Sequence, residues 1–135
     1  MINRMGRTFF IDIDGTLVRH KTAVELDNMI ETPINEELLP GVLELWDHFE
    51  IDDCIVITTA RRNRHREITE RIFKDNNLRY NMMLFELESG PRILINDTPN
   101  ISVQKASAIN VRRNGGFYFD EDDSRFKNEK KMNFN

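Results

Sequence analysis

Phe9-Phe10-Ile11-Asp12-Ile13-Asp14-Gly15-Thr16-Leu17 is the stretch on which the fold turns. An apolar run from Thr8 to Ile13, read as a strand buried on both faces, ends on two carboxylates two residues apart and meets a Gly-Thr turn. Carboxylates at i and i+2 at the carboxyl end of a strand converge on one cavity when the chain turns at once. Gly15 permits that turn by accepting backbone dihedrals that other residues resist. A purely structural turn needs only one Asp, so chemistry is expected at Asp12 and Asp14.

Further along, Cys54 to Thr59 reads as a second strand, rich in β-branched residues and leaving through Thr59-Ala60-Arg61. Met82 to Leu87 and Ile93 to Ile95 read as third and fourth strands, and Ala106 to Val111 as a fifth. Between them, Val42, Leu45, Trp46 and Phe49 recur at helical spacing after Pro40-Gly41. A second helix runs from an Asn63 N-cap to Asn76, with Ile68, Ile72 and Phe73 facing inward and Arg61, Arg62, Arg64, His65, Arg66 and Arg71 forming a basic flank. Strands alternating with helices predict an α/β fold of three layers around a parallel central sheet. Residues 17 to 34 are polar and without clear periodicity, and read as a loop or flap near the site. Residues 1–116 form the expected core. Residues 117–135 form a polar tail, ordered at Phe117-Tyr118-Phe119 and flexible beyond.

The chain has 135 residues, enough for one hydrophobic core and not for two. A net charge of -4 argues against nonspecific nucleic-acid binding, while leaving room for a local basic groove. No run of roughly 18 apolar residues appears and no apolar stretch follows the N-terminal basic residues, so no membrane association is expected. Cys54, alone in its apolar run, forms no intramolecular disulfide and reads as a small core residue of a reducing, cytoplasmic compartment. His20, His48 and His65 are scattered and read as surface or rim residues.

The segment from Phe9 to Thr16, apolar residues followed by Asp-x-Asp-Gly-Thr, resembles motif I of the haloacid dehalogenase superfamily of phosphotransferases. The resemblance implies that Asp12 is a nucleophile toward phosphorus. Asp14 would then protonate the leaving oxygen and activate the water that hydrolyses the aspartyl phosphate. Such a division splits one displacement into two easier steps. Ile55 to Arg61 is similar to motif II, a strand ending in a hydroxyl residue that binds the phosphoryl group, which implies that Thr59, Ala60 and Arg61 bind phosphate. Thr59 is favoured within Thr59-Ala60-Arg61, because Thr58 is expected to point to the opposite side of the strand.

Ile93 to Pro99 resembles motif IV, which implies a Mg²⁺ held by Asp12, the backbone carbonyl of Asp14 and Asp97, with Asn96 behind them. Where the family commonly has two acids, this chain has Asn96-Asp97. A Lys expected ahead of the fourth strand is replaced in place by Arg92, whose fork can grip a phosphoryl group bidentately; Lys105 is the second choice for that cation.

The resemblance covers residues 7 to 111. The gap between Thr16 and Thr59 and that between the second and third strands are both too short for an inserted domain, which points to a capless member with an open site that a neighbouring subunit could close. The expected activity is Mg²⁺-dependent hydrolysis of a phosphomonoester, with a small phosphorylated metabolite such as a sugar phosphate as substrate. Two other readings stay open. One is a polynucleotide 3′-phosphatase, with residues 61 to 66 contacting a phosphate backbone and activity falling with salt. The other is a noncatalytic phosphate-binding protein, against which the retention of both Asp12 and Asp14 argues.

Overall fold

A computed structural model describes residues 5–120 and 122–126. Its sheet has three parallel strands in the order β1-β2-β3: β1 (Thr8–Asp12), β2 (Cys54–Thr58) and β3 (Met82–Leu84). The apolar, β-branched runs form these strands because Ile11, Ile13, Ile55 and Ile57 can all enter one core, joined by Leu17, Val18, Val42, Ile72 and Phe73. The β1–β2 register runs from Thr8 opposite Cys54 to Asp12 opposite Thr58. Both strands therefore end at the same level, with the turn at Asp14-Gly15 just beyond.

Helices connect the strands, which makes the architecture mixed α/β. The segment from 17 to 34, read as a loop, holds helix α1 (Ala23–Glu31). A capping box starts it: the Thr22 hydroxyl accepts from the Glu25 amide, and the Glu25 carboxylate accepts from the Thr22 amide. With only Leu26 and Met29 buried, α1 shows too narrow an apolar stripe to stand out from sequence. Helix α2 (Val42–Asp47) follows Gly41, which has a φ of 82° and lies so close to Phe117 that a Cβ there would be 1.7 Å from the Phe117 carbonyl oxygen. Helix α3 (Arg66–Asp75) is entered through a 3₁₀ turn at Asn63–His65, so Asn63 begins that turn rather than capping the helix. Ile68, Ile72 and Phe73 face inward from α3 as expected.

Three expectations are corrected. Among the described residues, neither Ile93–Ile95 nor residues 106–111 form a strand, and every residue from 88 to 105 is exposed. Their β-branched character supplies propensity, but a strand exists only where another strand pairs with it. In consequence β1 is an edge strand rather than one buried on both faces, and Phe10 is 57% exposed. The chain after residue 116 also packs further onto the core than its polar composition suggests. Phe126 is buried against Phe9, Phe117, Phe119 and the His48 ring, and the Arg7 guanidinium donates to the Arg125 carbonyl. Residues 127–135, within the tail expected to be flexible, lie outside the described residues. No helix among the described residues is long and apolar enough to cross a membrane.

Candidate active site

After β1 the chain reverses through a tight knot of backbone bonds. The amides of Thr16, Leu17 and Val18 all donate to the Ile13 carbonyl, and the Gly15 amide donates to the Val18 carbonyl. Gly15 has a φ of 83°, in the region glycine favours. The turn separates the two carboxylates into unlike surroundings. Asp12 stays at the rim, its side chain about half exposed, while Asp14 reaches into the protein.

Asp14 is met there by Arg61, which is fully buried. Arg61 Nε donates to Asp14 Oδ2 at 3.0 Å and Nη2 to Oδ1 at 2.8 Å. The other side of the guanidinium holds Glu36, with Nη1 to Oε2 at 3.0 Å and Nη2 to Oε1 at 2.8 Å, and a further bond runs to Thr69 Oγ1 at 3.1 Å. Every N–H of the fork is used. Lys21 Nζ adds a second cation 2.8 Å from Glu36 Oε1. Burial would raise the Glu36 carboxyl, but Arg61 and Lys21 outweigh it and hold the group below the ordinary glutamate range. Burial likewise opposes the charge on Arg61, and Asp14 with Glu36 more than reverses that. Lys21 also lines an open cleft of about 420 Å³ along α1, shared with Arg19, Glu25, Asn28 and Met29.

At Asp12 the balance differs. Burial raises its carboxyl above the ordinary aspartate value, against a backbone hydrogen bond at Ile13 and the charge of Arg92. Arg92 Nη2 lies 3.7 Å from Asp12 Oδ1, so the cation ranked first by sequence stands beside the expected nucleophile. The β-ladder places Thr58 directly opposite Asp12, on the same face of the sheet. That reverses the expectation for Thr58. Thr59 has no exposed surface and its hydroxyl accepts from the Arg61 amide at 3.0 Å, which closes the turn Thr59-Ala60-Arg61. Arg61, expected to bind phosphate, has its donors committed to carboxylates.

Asn96 and Asp97 are exposed, and Asp97 pairs with Lys105 at 3.5 Å. Lys105 thus sits with Asp97 and Arg92 with Asp12. Among the described residues no three His, Cys, Asp or Glu side chains converge so as to hold a metal ion. Of the donors that the resemblance implies for Mg²⁺, Asp12 is beside Arg92, the Asp14 side chain but not its backbone carbonyl is taken by Arg61, and Asp97 is turned to Lys105, so the set is not gathered among the described residues. The basic flank is also largely partnered. Arg64 bonds Asp27 at 2.8 Å, Arg62 lies 4.0 Å from Glu86, and Arg66 lies 3.7 Å from Glu70 and covers the Phe85 ring. His65, expected at the surface, is buried; its Nδ1 accepts from the Arg62 amide, which leaves Nε2 to donate to Asp27 at 2.7 Å.

Glu36 and Lys21 are the site residues that sequence reasoning missed. Glu36 is 25 residues from Arg61 in the chain and sits in a polar stretch with no periodicity, so nothing local marks it. No family model, curated protein or solved structure matches the chain.

Proposed function

We propose that this chain is a phosphomonoester hydrolase of the haloacid dehalogenase type, acting on a small phosphorylated metabolite with Mg²⁺ as cofactor. The observation that carries the reading is the pair of carboxylates at the end of β1 with opposite environments: Asp12 accessible beside Arg92, and Asp14 held by the buried Arg61–Glu36 pair. An Asp12 oxygen attacks phosphorus and the bond from phosphorus to the substrate oxygen breaks. The departing oxygen takes a proton from Asp14. Asp14 then takes a proton from water, whose oxygen displaces Asp12 from phosphorus and releases inorganic phosphate. Arg92 offsets charge on the phosphoryl oxygens, and Thr58 offers a hydroxyl on the same face of the sheet.

The partnering of Arg62, Arg64 and Arg66 with carboxylates favours a small substrate over a polynucleotide, because a nucleic-acid groove needs cations free to replace counterions. The test is phosphate release with Mg²⁺ from sugar phosphates, nucleotides and a 3′-phosphorylated oligonucleotide, by wild type and by Asp12→Asn. Turnover should fall by on the order of 10⁴-fold in the variant. A preference for the oligonucleotide that weakens with salt would shift the reading to end healing. Phosphate binding without release from any substrate would leave a noncatalytic binder.

A further inference from the structure

Two adjacent arginines stand beside the turn that follows β1. Arg61, Arg62, Arg64, Arg66 and Arg92 each face a carboxylate. Arg112 and Arg113 are exposed, and among the described residues no hydrogen bond or ion pair engages either guanidinium. The turn that carries them is nevertheless fastened at three points. The Asn114 amide donates to the Gly15 carbonyl at 2.8 Å, and Asn114 Oδ1 accepts from the His20 amide at 2.7 Å. Beyond them the Phe117 amide donates to the Pro40 carbonyl, and Gly116 packs there so closely that a Cβ would lie 2.5 Å from the Pro40 oxygen. Backbone atoms and the Asn114 side chain make this anchorage, so neither guanidinium takes part in it. The Arg113 stem also lies over Gly15, where an added Cβ would be 3.0 Å from Arg113 Cγ. Gly15 stands three residues after Asp12, a span of at most about 11 Å. Residues 109–118 line an open cleft of about 640 Å³, and its wall carries these two cations and no acid.

We propose that Arg112 and Arg113 bind a second anionic group of the ligand, so that the preferred substrate is a small phosphomonoester carrying another phosphate, such as a sugar bisphosphate. One phosphate lies at Asp12 and Arg92, and the other on the turn at 112–113. Guanidinium forks match phosphate oxygens in geometry. A phosphate has three oxygens to share between two forks and a carboxylate only two, which favours phosphate as the second group. The anchored turn holds both arginines near that position before the ligand arrives, so less ordering opposes binding. In a chain of net charge -4, a cleft walled by cations alone selects for an anion. A polynucleotide fits less well, because Arg62, Arg64 and Arg66, which would extend a phosphate track, are held by carboxylates. That the bound ester is hydrolysed rests on the phosphatase reading; the second anion site does not.

Calorimetry on the full chain without Mg²⁺, at fixed ionic strength, compares fructose 1,6-bisphosphate with fructose 6-phosphate. Wild type should bind the bisphosphate about tenfold or more tightly. The Arg112→Gln/Arg113→Gln variant should lose that preference with an unchanged circular dichroism spectrum, because Gln keeps the Cβ and Cγ that cover Gly15 and removes only the charged end. Lys74→Gln, which removes a charge from the last turn of α3, should keep the preference. Equal binding of the two esters by wild type would overturn the proposal. So would a preference that survives in the double variant or is lost as fully in Lys74→Gln. A 3′-phosphorylated oligonucleotide that binds more tightly than the bisphosphate, through the same two arginines, would overturn it in favour of a polynucleotide. Where wild type releases phosphate, the double variant should raise KM for the bisphosphate about tenfold at unchanged kcat and leave fructose 6-phosphate unaffected. An equal rise for both esters would again overturn it. Selective binding of the bisphosphate with no phosphate released would sink the proposed activity and leave the second anion site standing.

Discussion

Residues 54–75 and residues 88–105 are built from similar materials, β-branched runs followed by charges of both signs, and they meet opposite ends. In the first, Ile55 and Ile57 have no exposed surface and Arg61 has all its donors bonded inside the chain. In the second, every residue faces solvent, and its ion pairs, Asp97 with Lys105 and Arg92 with Asp12, join partly exposed side chains. The contrast shows that composition does not decide burial. Residues 54–75 have β1, Asp14 and Glu36 to meet, whereas residues 88–105 reach the core only where Arg92 stands at Asp12, among the contacts described above.

The widest gap between the two should appear at the charges. Arg61→Ala strands Asp14 and Glu36 in the interior and should cost about 3–5 kcal/mol in denaturant unfolding, whereas Lys105→Ala in the exposed segment should leave stability unchanged. Comparable losses from both variants would erase the distinction. Activity should fall with Arg61→Ala as well, because a carboxylate displaced by 1 Å can lose on the order of 10²-fold in rate.

A smaller effect is expected at the other buried charge of the folded half. Asp53 accepts from the Arg7 amide, Nε and Nη2 and from the Glu50 amide. Burial alone would raise its carboxyl, but these donors, led by the Arg7 guanidinium, hold it at about 2, against an ordinary 3.8. A folded value below the unfolded one stabilises the protein above the unfolded value. The gain is lost as pH falls from about 4 through about 2, and amounts to about 2 kcal/mol. Urea unfolding at pH 5 and pH 2 should show wild type losing about that much more than Asp53→Asn, which lacks the titrating group. Parallel losses in the two proteins would assign the acid sensitivity elsewhere.

What could be read in advance follows the same division. The strands β1 and β2, helix α3 and the Asp12–Asp14 turn were legible because their signals are local: apolar runs, helical spacing, a glycine after two acids. The Asp14 clamp was not, since Arg61 and Asp14 are 47 residues apart and Glu36 has no pattern around it. Which threonine lies on the face of Asp12 was not legible either, because alternation along a strand gives two faces without saying which one Asp12 shares; only the ladder register does. Ile93–Ile95 illustrates the remaining gap, for a β-branched run announces that it can pair and is silent about with what.

The finest test uses the same methyl deletion on both sides of the comparison. Ile57→Val removes one methylene from a site with no exposure, where close packing leaves a void, and should cost about 1 kcal/mol. Ile95→Val removes it from a side chain 93% exposed and should stay within about 0.5 kcal/mol when both are unfolded in urea. Equal costs at the two positions would mean that Ile95 packs against its own chain as Ile57 does, and the contrast between the two regions would fall.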